Sequence, residues 1–124
     1  MKRDMDLIRA ILLNVEEKRK GNKFLQIDYE DFAGHKPEDV YGHLVLISDS
    51  GLLKPHHQSF DMLPMTNGLT KEGFDFLDSV RNPEIWEKTK KTAEKVGGWT
   101  IDILADLAKG FLKTKIAKHT GVEI

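Results

Sequence analysis

Apolar residues recur at helical spacing near the start of the chain. They lie three or four positions apart with polar residues between them, which predicts an amphipathic helix over about 4–20. Acids in its first turn and bases in its last suit the helix dipole, and Gly21-Asn22 is a stop signal. Alternation over 24–28 predicts a short strand, and 29–32 a short helix or a turn. The predicted apolar stripe is Met5, Ile8, Leu12 and Val15.

Two further helices are predicted on either side of a turn-rich segment in the middle of the chain. Pro37 suits the first turn of one helix, and Gly51 ends it. Thr70 is placed to cap the next helix, which Asn82-Pro83 breaks. The residues predicted to face the core are Val40, Leu44 and Ile47 in the first and Phe74, Leu77 and Val80 in the second, with Tyr41, Leu46 and Phe76 beside these faces.

Between these helices the sequence predicts a β-ribbon. Strands are expected at 52–54 and 60–65, with Pro55–Ser59 as the hairpin tip, or wing. Pro64 cannot donate to a sheet ladder, so the second strand is expected at the edge of the sheet. A helix, a ribbon and a helix in this order predict a winged helix-turn-helix core.

The last third of the chain predicts two more helices, at about 83–96 and 99–119, joined by a Gly97-Gly98 hinge. The fold class expected is therefore α+β and mainly helical. A winged-helix domain with a two- or three-stranded sheet covers 1–81, and a helical extension covers 82–124. The thin apolar face of the earlier helix is Ile85, Trp86, Thr89, Ala93 and Val96.

Three strings, MKRDMDLIRAIL, YGHLVLISDSGLL and LTKEGFDFLDSVRNPEIWEKTK, resemble a bacterial and phage-associated family, domain of unknown function 2513. The resemblance covers about 1–90. It implies a small winged-helix protein of bacterial or prophage origin with a variable C-terminal extension. It brings no established activity, so it assigns no catalytic residue. The LTKEG string is also similar to the helix start that follows the wing in MarR-like transcriptional regulators.

Composition narrows the class of protein. A chain of 124 residues, 40% hydrophobic and 31% charged, suits one α-rich globular domain with an appendage. It has no Cys, which excludes disulfides and cysteine-based zinc sites, and no apolar run that approaches the roughly 20 residues of a membrane span. Asp4, Asp6 and Arg9 interrupt the apolar N-terminal run, which argues against a signal peptide. A cytoplasmic location is expected.

No constellation for catalysis is found in the sequence. Carboxylates are plentiful, but none is placed beside a nucleophile or a glycine-rich phosphate loop. His56 and His57 lack a third ligand at metal-binding spacing, and His43 is expected to be partly buried and bonded to the backbone. We therefore expect a non-enzymatic protein without metal, cofactor or small-molecule substrate.

A DNA-associated regulator or phage-related accessory factor is the first function the sequence favours. The predicted helix after Pro37 would be the recognition helix, yet Glu38 and Asp39 in its first turn repel phosphates. Residues 1–81 carry 11 basic and 14 acidic side chains, which favours the alternative of a protein-interaction module without DNA binding. The candidate DNA contacts are Lys2, Arg3, Lys36, Tyr41, Lys54, His56, His57, Gln58 and Lys71.

The C-terminal helix predicts a second interaction surface. It is amphipathic and basic, so it can pack on its own domain, pair with a second copy or lie on a membrane surface. Asp102 and Asp106 weaken attraction to anionic lipid, so self-association is the favoured interpretation of this helix. A membrane-docked effector is the third hypothesis for the function, after the regulator and the protein-interaction module. The residues predicted for oligomerisation are Trp99, Ile101, Leu104, Leu107 (or Ala108), Phe111 and Ile116.

Overall fold

Five α-helices and a small antiparallel sheet form the described part of the chain, so the fold is α+β and mainly helical. A computed structural model describes residues 1–21, 23–54, 56–58 and 64–121, with the backbone alone for 56–58. The chain clusters into two compact units, Met1–Phe74 and Asp75–Ile124. The elements are α1 Met5–Lys18, β1 Leu25–Gln26, a 3-10 helix Tyr29–Phe32, α2 Pro37–Asp49, β2 His56–Gln58, β3 Pro64–Thr66, α3 Lys71–Val80, α4 Pro83–Val96 and α5 Ile101–Thr120.

The helix ends lie close to where the sequence places them, because local capping decides them. Asp4 caps α1 through a 3.2 Å hydrogen bond from the Leu7 N–H. Thr70 Oγ1 accepts from the Gly73 N–H at 3.0 Å at the start of α3, as predicted. Gly97 ends α4 with φ of 83°, a left-handed conformation that favours glycine. The last helix begins at Ile101, two residues after the predicted start, since Thr100 is its cap.

The first strand of the ribbon lies further along the chain than predicted. Residues 56–58 are strand β2 and not the hairpin tip, and they pair with β3 in the register His56↔Thr66 and Gln58↔Pro64. The predicted strand at 52–54 is reduced to an isolated bridge between Leu53 and Leu69. Of the predicted strand 60–65, residues 60–63 lie outside the described residues.

The sheet order is β1-β3-β2, so the strand that contains Pro64 is central and the edge prediction is wrong. Pro64 is the first residue of β3, where a missing N–H is tolerated. Its carbonyl accepts from the Ile27 N–H at 2.8 Å, which extends the contact with the β1 side. Position at the strand start, and not at the sheet edge, accommodates this proline.

The core of the first unit lies between α1 and α2, which contact each other. The predicted stripe of α1 is buried, and Leu7 and Ile11 widen it. The ion pair of Lys18 with Asp31 ties the end of α1 to the 3-10 helix and holds the pKa of that carboxyl below its ordinary value. The residues of α2 that face this core are Val40, His43, Leu44 and Ile47.

Two aromatic positions in α3 are exchanged relative to the prediction. Phe74 is 44% exposed, whereas Phe76 is fully buried together with the predicted Leu77 and Val80. Both phenylalanines have apolar neighbours at helical spacing, so the pattern alone did not separate them. In α4, Val96 at the last position is also exposed and not part of the buried face.

Helices α4 and α5 form a hairpin in the second unit. The four-residue connection and a 3.2 Å contact between Lys115 Nζ near the end of α5 and Glu84 Oε2 near the start of α4 make the two helices antiparallel. The contact holds the pKa of Glu84 below its ordinary value, because the carboxylate accepts a hydrogen bond from Lys115. The buried residues of the hairpin are Ile85, Trp86, Thr89 and Ala93 of α4 and Ile101, Leu104 and Ala108 of α5.

Candidate interaction surface

His43 fixes the segment before α1 against the middle of α2. Its Nε2 accepts from the Asp4 N–H at 2.8 Å, and its Nδ1 lies 2.7 Å from the Asp39 carbonyl. Because an amide can only donate and a carbonyl can only accept, the ring is neutral with its proton on Nδ1. The predicted bonding to the backbone is confirmed, and the residue is 1% exposed, which is deeper than the partial burial predicted. His43 is therefore structural and does not face a partner.

Gly42 provides a second anchor for the same segment. A Cβ at this position would collide with Met1 Sδ, so the methionine side chain lies directly on the helix backbone. The exposed Lys2 and Arg3 follow immediately. Two of the predicted DNA contacts thus lie beside the centre of α2, although nothing in the sequence showed that the N-terminal segment would reach it.

The outward side of α2 has acids at both ends and half-exposed apolar groups between them. Glu38 and Asp49 are exposed, and Asp39 is half-buried. His43 is the single basic side chain within α2, and it is buried, so α2 presents no cation to solvent. The half-exposed groups between the acids are Tyr41, Gly42, Val45 and Leu46.

Tyr41 belongs to this surface and reaches towards the 3-10 helix. Burial raises the pKa of Tyr29, and the neighbouring Tyr41 adds to the rise. The two phenols therefore lie near each other at one border of the α2 face. Tyr41 and Leu46, which the sequence placed beside the core face, are half-exposed and so are available for contact.

The other predicted DNA contacts lie around α2 and not on it. Lys36 is exposed at the N-cap of α2, and Lys71 is exposed in the first turn of α3. Lys54 is exposed, while its backbone N–H donates to the Gly68 carbonyl at 2.9 Å. Strand β2, which contacts α2, is formed by His56, His57 and Gln58, whose side chains lie outside the description.

The chain is similar in sequence to known proteins over most of its length. Residues 2–99 match the model of a family described as "Hypothetical protein (DUF2513)". The chain belongs to this family. A relative from Haemophilus influenzae (strain ATCC 51907 / DSM 11121 / KW20 / Rd), titled "Uncharacterized protein", is 32% identical over 120 residues, which cover 95% of this chain and 98% of the relative. No solved structure matches the chain significantly.

The match of this DUF2513 member to the family ends near the start of α5, where the residues predicted for oligomerisation lie. Ile101 and Leu104 are 4% and 0% exposed, so they are buried within the single chain. Trp99, Leu107, Phe111 and Ile116 are half-buried. Phe111 lines a small cleft of about 120 Å³ between α4 and α5. Ile116 lines a groove of about 330 Å³ with Leu112 and Lys115.

Neither a metal centre nor a membrane span is found in the described part of this DUF2513 chain. No three His, Asp or Glu side chains among those described converge in a way that could hold an ion. The helices described are too short or too polar to cross a bilayer. The exposed and half-exposed residues around α2 form the candidate site.

Sequence reasoning missed two contributors to this surface, Met1 and Val45. Met1 and Gly42 meet only after folding, and no local pattern indicates their contact. Val45 could have been found, because Glu38, Gly42, Val45 and Asp49 follow helical spacing on the side opposite Val40, Leu44 and Ile47. A helical wheel drawn for the outward side, and not just for the core side, reveals it.

Proposed function

We propose that this protein is a non-enzymatic winged-helix module that docks a protein partner on the outward face of α2. The order of elements supports the winged-helix assignment. A three-stranded sheet in the order β1-β3-β2 accompanies α1, the 3-10 helix and α2, with β2 and β3 as the ribbon that follows α2. In this scaffold α2 occupies the place of the recognition helix.

The acidic charge of α2 is the observation that favours a protein partner over DNA. Helices that enter a major groove use Arg, Lys, Asn or Gln to contact base edges, and α2 has none of them. Glu38 and Asp49 would face phosphates that carry the same charge. A protein surface with an apolar centre and basic groups at both sides fits this face better, because each acid then meets a cation.

DNA association is the second candidate, and the position of the flanking cations favours it. Lys2 and Arg3 lie beside Gly42, Lys36 precedes α2, and Lys54 and Lys71 border the same unit. Such groups could contact phosphates without reading bases. Binding of this kind would be weak, independent of sequence and strongly reduced by salt.

One pair of measurements separates the two candidates. If all five cations contact phosphates, the affinity for a random duplex should fall by ~500-fold between 50 and 200 mM salt. The protein-docking proposal expects no measurable binding to the duplex even at the lower salt. Fluorescence anisotropy of a labelled duplex with the full chain gives either result.

Site-specific photocrosslinking tests the protein partner directly. A photoreactive residue at Val45 should give a protein adduct in cells of the source species, and one at the exposed Lys91 of α4 should not. The double reversal Glu38→Arg with Asp49→Arg should abolish the Val45 adduct, whereas Glu94→Arg on α4 should leave it. An adduct at Val45 that contains only nucleic acid, or equal adducts at Val45 and Lys91, would overturn the proposal.

A further inference from the structure

The outer side of α5 carries a stripe of four charges whose order is symmetric. Asp102, Asp106, Lys109 and Lys113 follow at i, i+4, i+7 and i+11, so they lie along one line of the helix. All four are exposed, and the buried residues of α5 lie on the other side of the helix. This stripe is therefore free of the hairpin contact with α4.

The stripe contains two pairs of like charges within a single chain. Asp102 and Asp106 are one turn apart, as are Lys109 and Lys113, and like charges at this spacing repel each other. Among the described residues, none of the four has an ion-pair partner. The attraction between Asp106 and Lys109, at i and i+3, offsets part of these repulsions within the chain.

A symmetric contact does compensate for both. Asp102 and Lys113, and likewise Asp106 and Lys109, are equally far from the midpoint between Leu107 and Ala108. An antiparallel copy of α5 crossing at that midpoint brings each acid opposite a lysine. The four pairs extend over about 16 Å of helix, given a rise of 1.5 Å per residue. A parallel copy would instead align each charge with itself.

Gly110 gives an independent indication beside the stripe. It lies in the interior of α5, where glycine is among the weakest helix formers, and a Cβ there would meet nothing within 4 Å. Among the described residues, no contact requires a glycine at this position. Gly110 adjoins Lys109 on one side of the stripe, where a missing side chain allows a second helix to approach closely. Ile103, which is 44% exposed, supplies an apolar group beside the stripe.

We propose that a second copy of this chain docks antiparallel on the outer stripe of α5, with Asp102 opposite Lys113 and Asp106 opposite Lys109 of the second copy. This isologous contact has the symmetry of most small homodimers. It is independent of what α2 binds. It also differs from the apolar stripe that the sequence predicts for dimerisation, since Ile101 and Leu104 are buried in the single chain.

A charge-swap experiment on the full chain tests the pairing. In the acidic variant, Lys109→Asp with Lys113→Asp, the stripe has four acids. In the basic variant, Asp102→Lys with Asp106→Lys, it has four lysines. Sedimentation equilibrium in low salt should show a dimer for the unmodified chain and at least a roughly tenfold weaker association for each variant, because like charges then face each other. An equimolar mixture of the two variants should restore the dimer.

Matched variants separate pairing from net charge. Lys91→Asp with Lys95→Asp changes the charge of α4 by the same amount as the acidic variant, and it should dimerise like the unmodified chain. Circular dichroism confirms that each variant is folded. A weak dimer with a Kd near 1 mM would still be populated at about 1 mM chain. A chain that stays monomeric up to that concentration overturns the proposal. A mixture that fails to associate, or variants that dimerise as before, overturns it as well.

Gly110→Gln provides a test with two opposite expectations. Glutamine is a better helix former, so the melting temperature measured at a concentration where the chain is monomeric should rise. The added side chain would stand between the two helices, so self-association should weaken by roughly tenfold. A variant that self-associates as well as the unmodified chain would show that the helices do not approach each other beside this glycine.

Discussion

Replacing His43 by leucine removes the clamp between α2 and the segment before α1. The change keeps a side chain of similar size, so it tests the two hydrogen bonds more than the packing. Each bond contributes about 0.5–1.5 kcal/mol net, and a donor left without an acceptor costs more when water cannot reach it. The Asp4 N–H is part-buried and loses the acceptor that His43 supplies, whereas the Asp39 carbonyl keeps its bond within the helix.

The lost hydrogen bonds and the unsatisfied Asp4 N–H together should lower the free energy of unfolding by about 2–4 kcal/mol. Urea denaturation followed by circular dichroism should show the midpoint fall by roughly 1–2 M at an unchanged slope. His43→Gln can still accept from Asp4, so it should lose no more than about half as much. His35→Leu, at an exposed position, is the control and should change stability by less than about 0.5 kcal/mol. A His43→Leu variant as stable as this control would refute the clamp.

Three other positions give predictions, two of opposite sign for stability and one for its pH dependence. A Cβ at Gly73 would collide with the Leu52 carbonyl, so Gly73→Ala should destabilise the chain by about 1–3 kcal/mol. Gly110→Ala enters open space in a helix and should stabilise it by about 0.5–1 kcal/mol; equal thermal shifts would contradict both. Lys115 lowers the pKa of Glu84 in the folded chain, so its contribution is present above the ordinary value of 4.5 and is lost as pH falls through the lower folded value. The stability difference between the unmodified chain and Glu84→Gln should therefore shrink on acidification and with added salt, and a difference that grows at low pH would contradict the pairing.

The helices could be predicted because their ends depend on neighbouring residues. Asp4, Thr70 and Gly97 each cap a helix in the structure, and each acts within one turn of the helix end. Periodicity likewise identified the buried side of α1 and α2. Local information is sufficient for such features, because the hydrogen bonds concerned close within four residues.

The sheet could not be predicted with the same accuracy, because strand register depends on distant pairing. Pro64 indicated an edge strand from its own chemistry, yet its carbonyl is bonded by Ile27 and its strand is central. The two phenylalanines of α3 are a similar case. Their spacing allowed either to be buried, and the choice of Phe76 depends on which side of α3 the remainder of the chain covers.

The candidate surface was predictable as a set of residue types but not as an arrangement. Lys2, Arg3 and Lys36 were identified one by one from their charge. The position of Lys2 and Arg3 beside α2 depends on Met1 lying on Gly42 and on His43 bonding Asp4, contacts that span about 40 residues of sequence. The removal of His43 from the surface has the largest consequence, since it leaves α2 without an exposed base.

Charge on both proposed surfaces is better suited to selecting a partner than to holding it. Exposed ion pairs contribute about 0.2–1 kcal/mol each, whereas like charges brought together cost several times more. Glu38 and Asp49 therefore add little affinity for a basic partner but strongly disfavour a phosphate backbone or another acidic surface. The stripe on α5 works in the same way, because it accepts an antiparallel copy and opposes a parallel one. Affinity at α2 must then come from the half-exposed Tyr41, Val45 and Leu46, so Val45→Ala should weaken binding of the partner without changing its identity, while Glu38→Arg should change which proteins are bound.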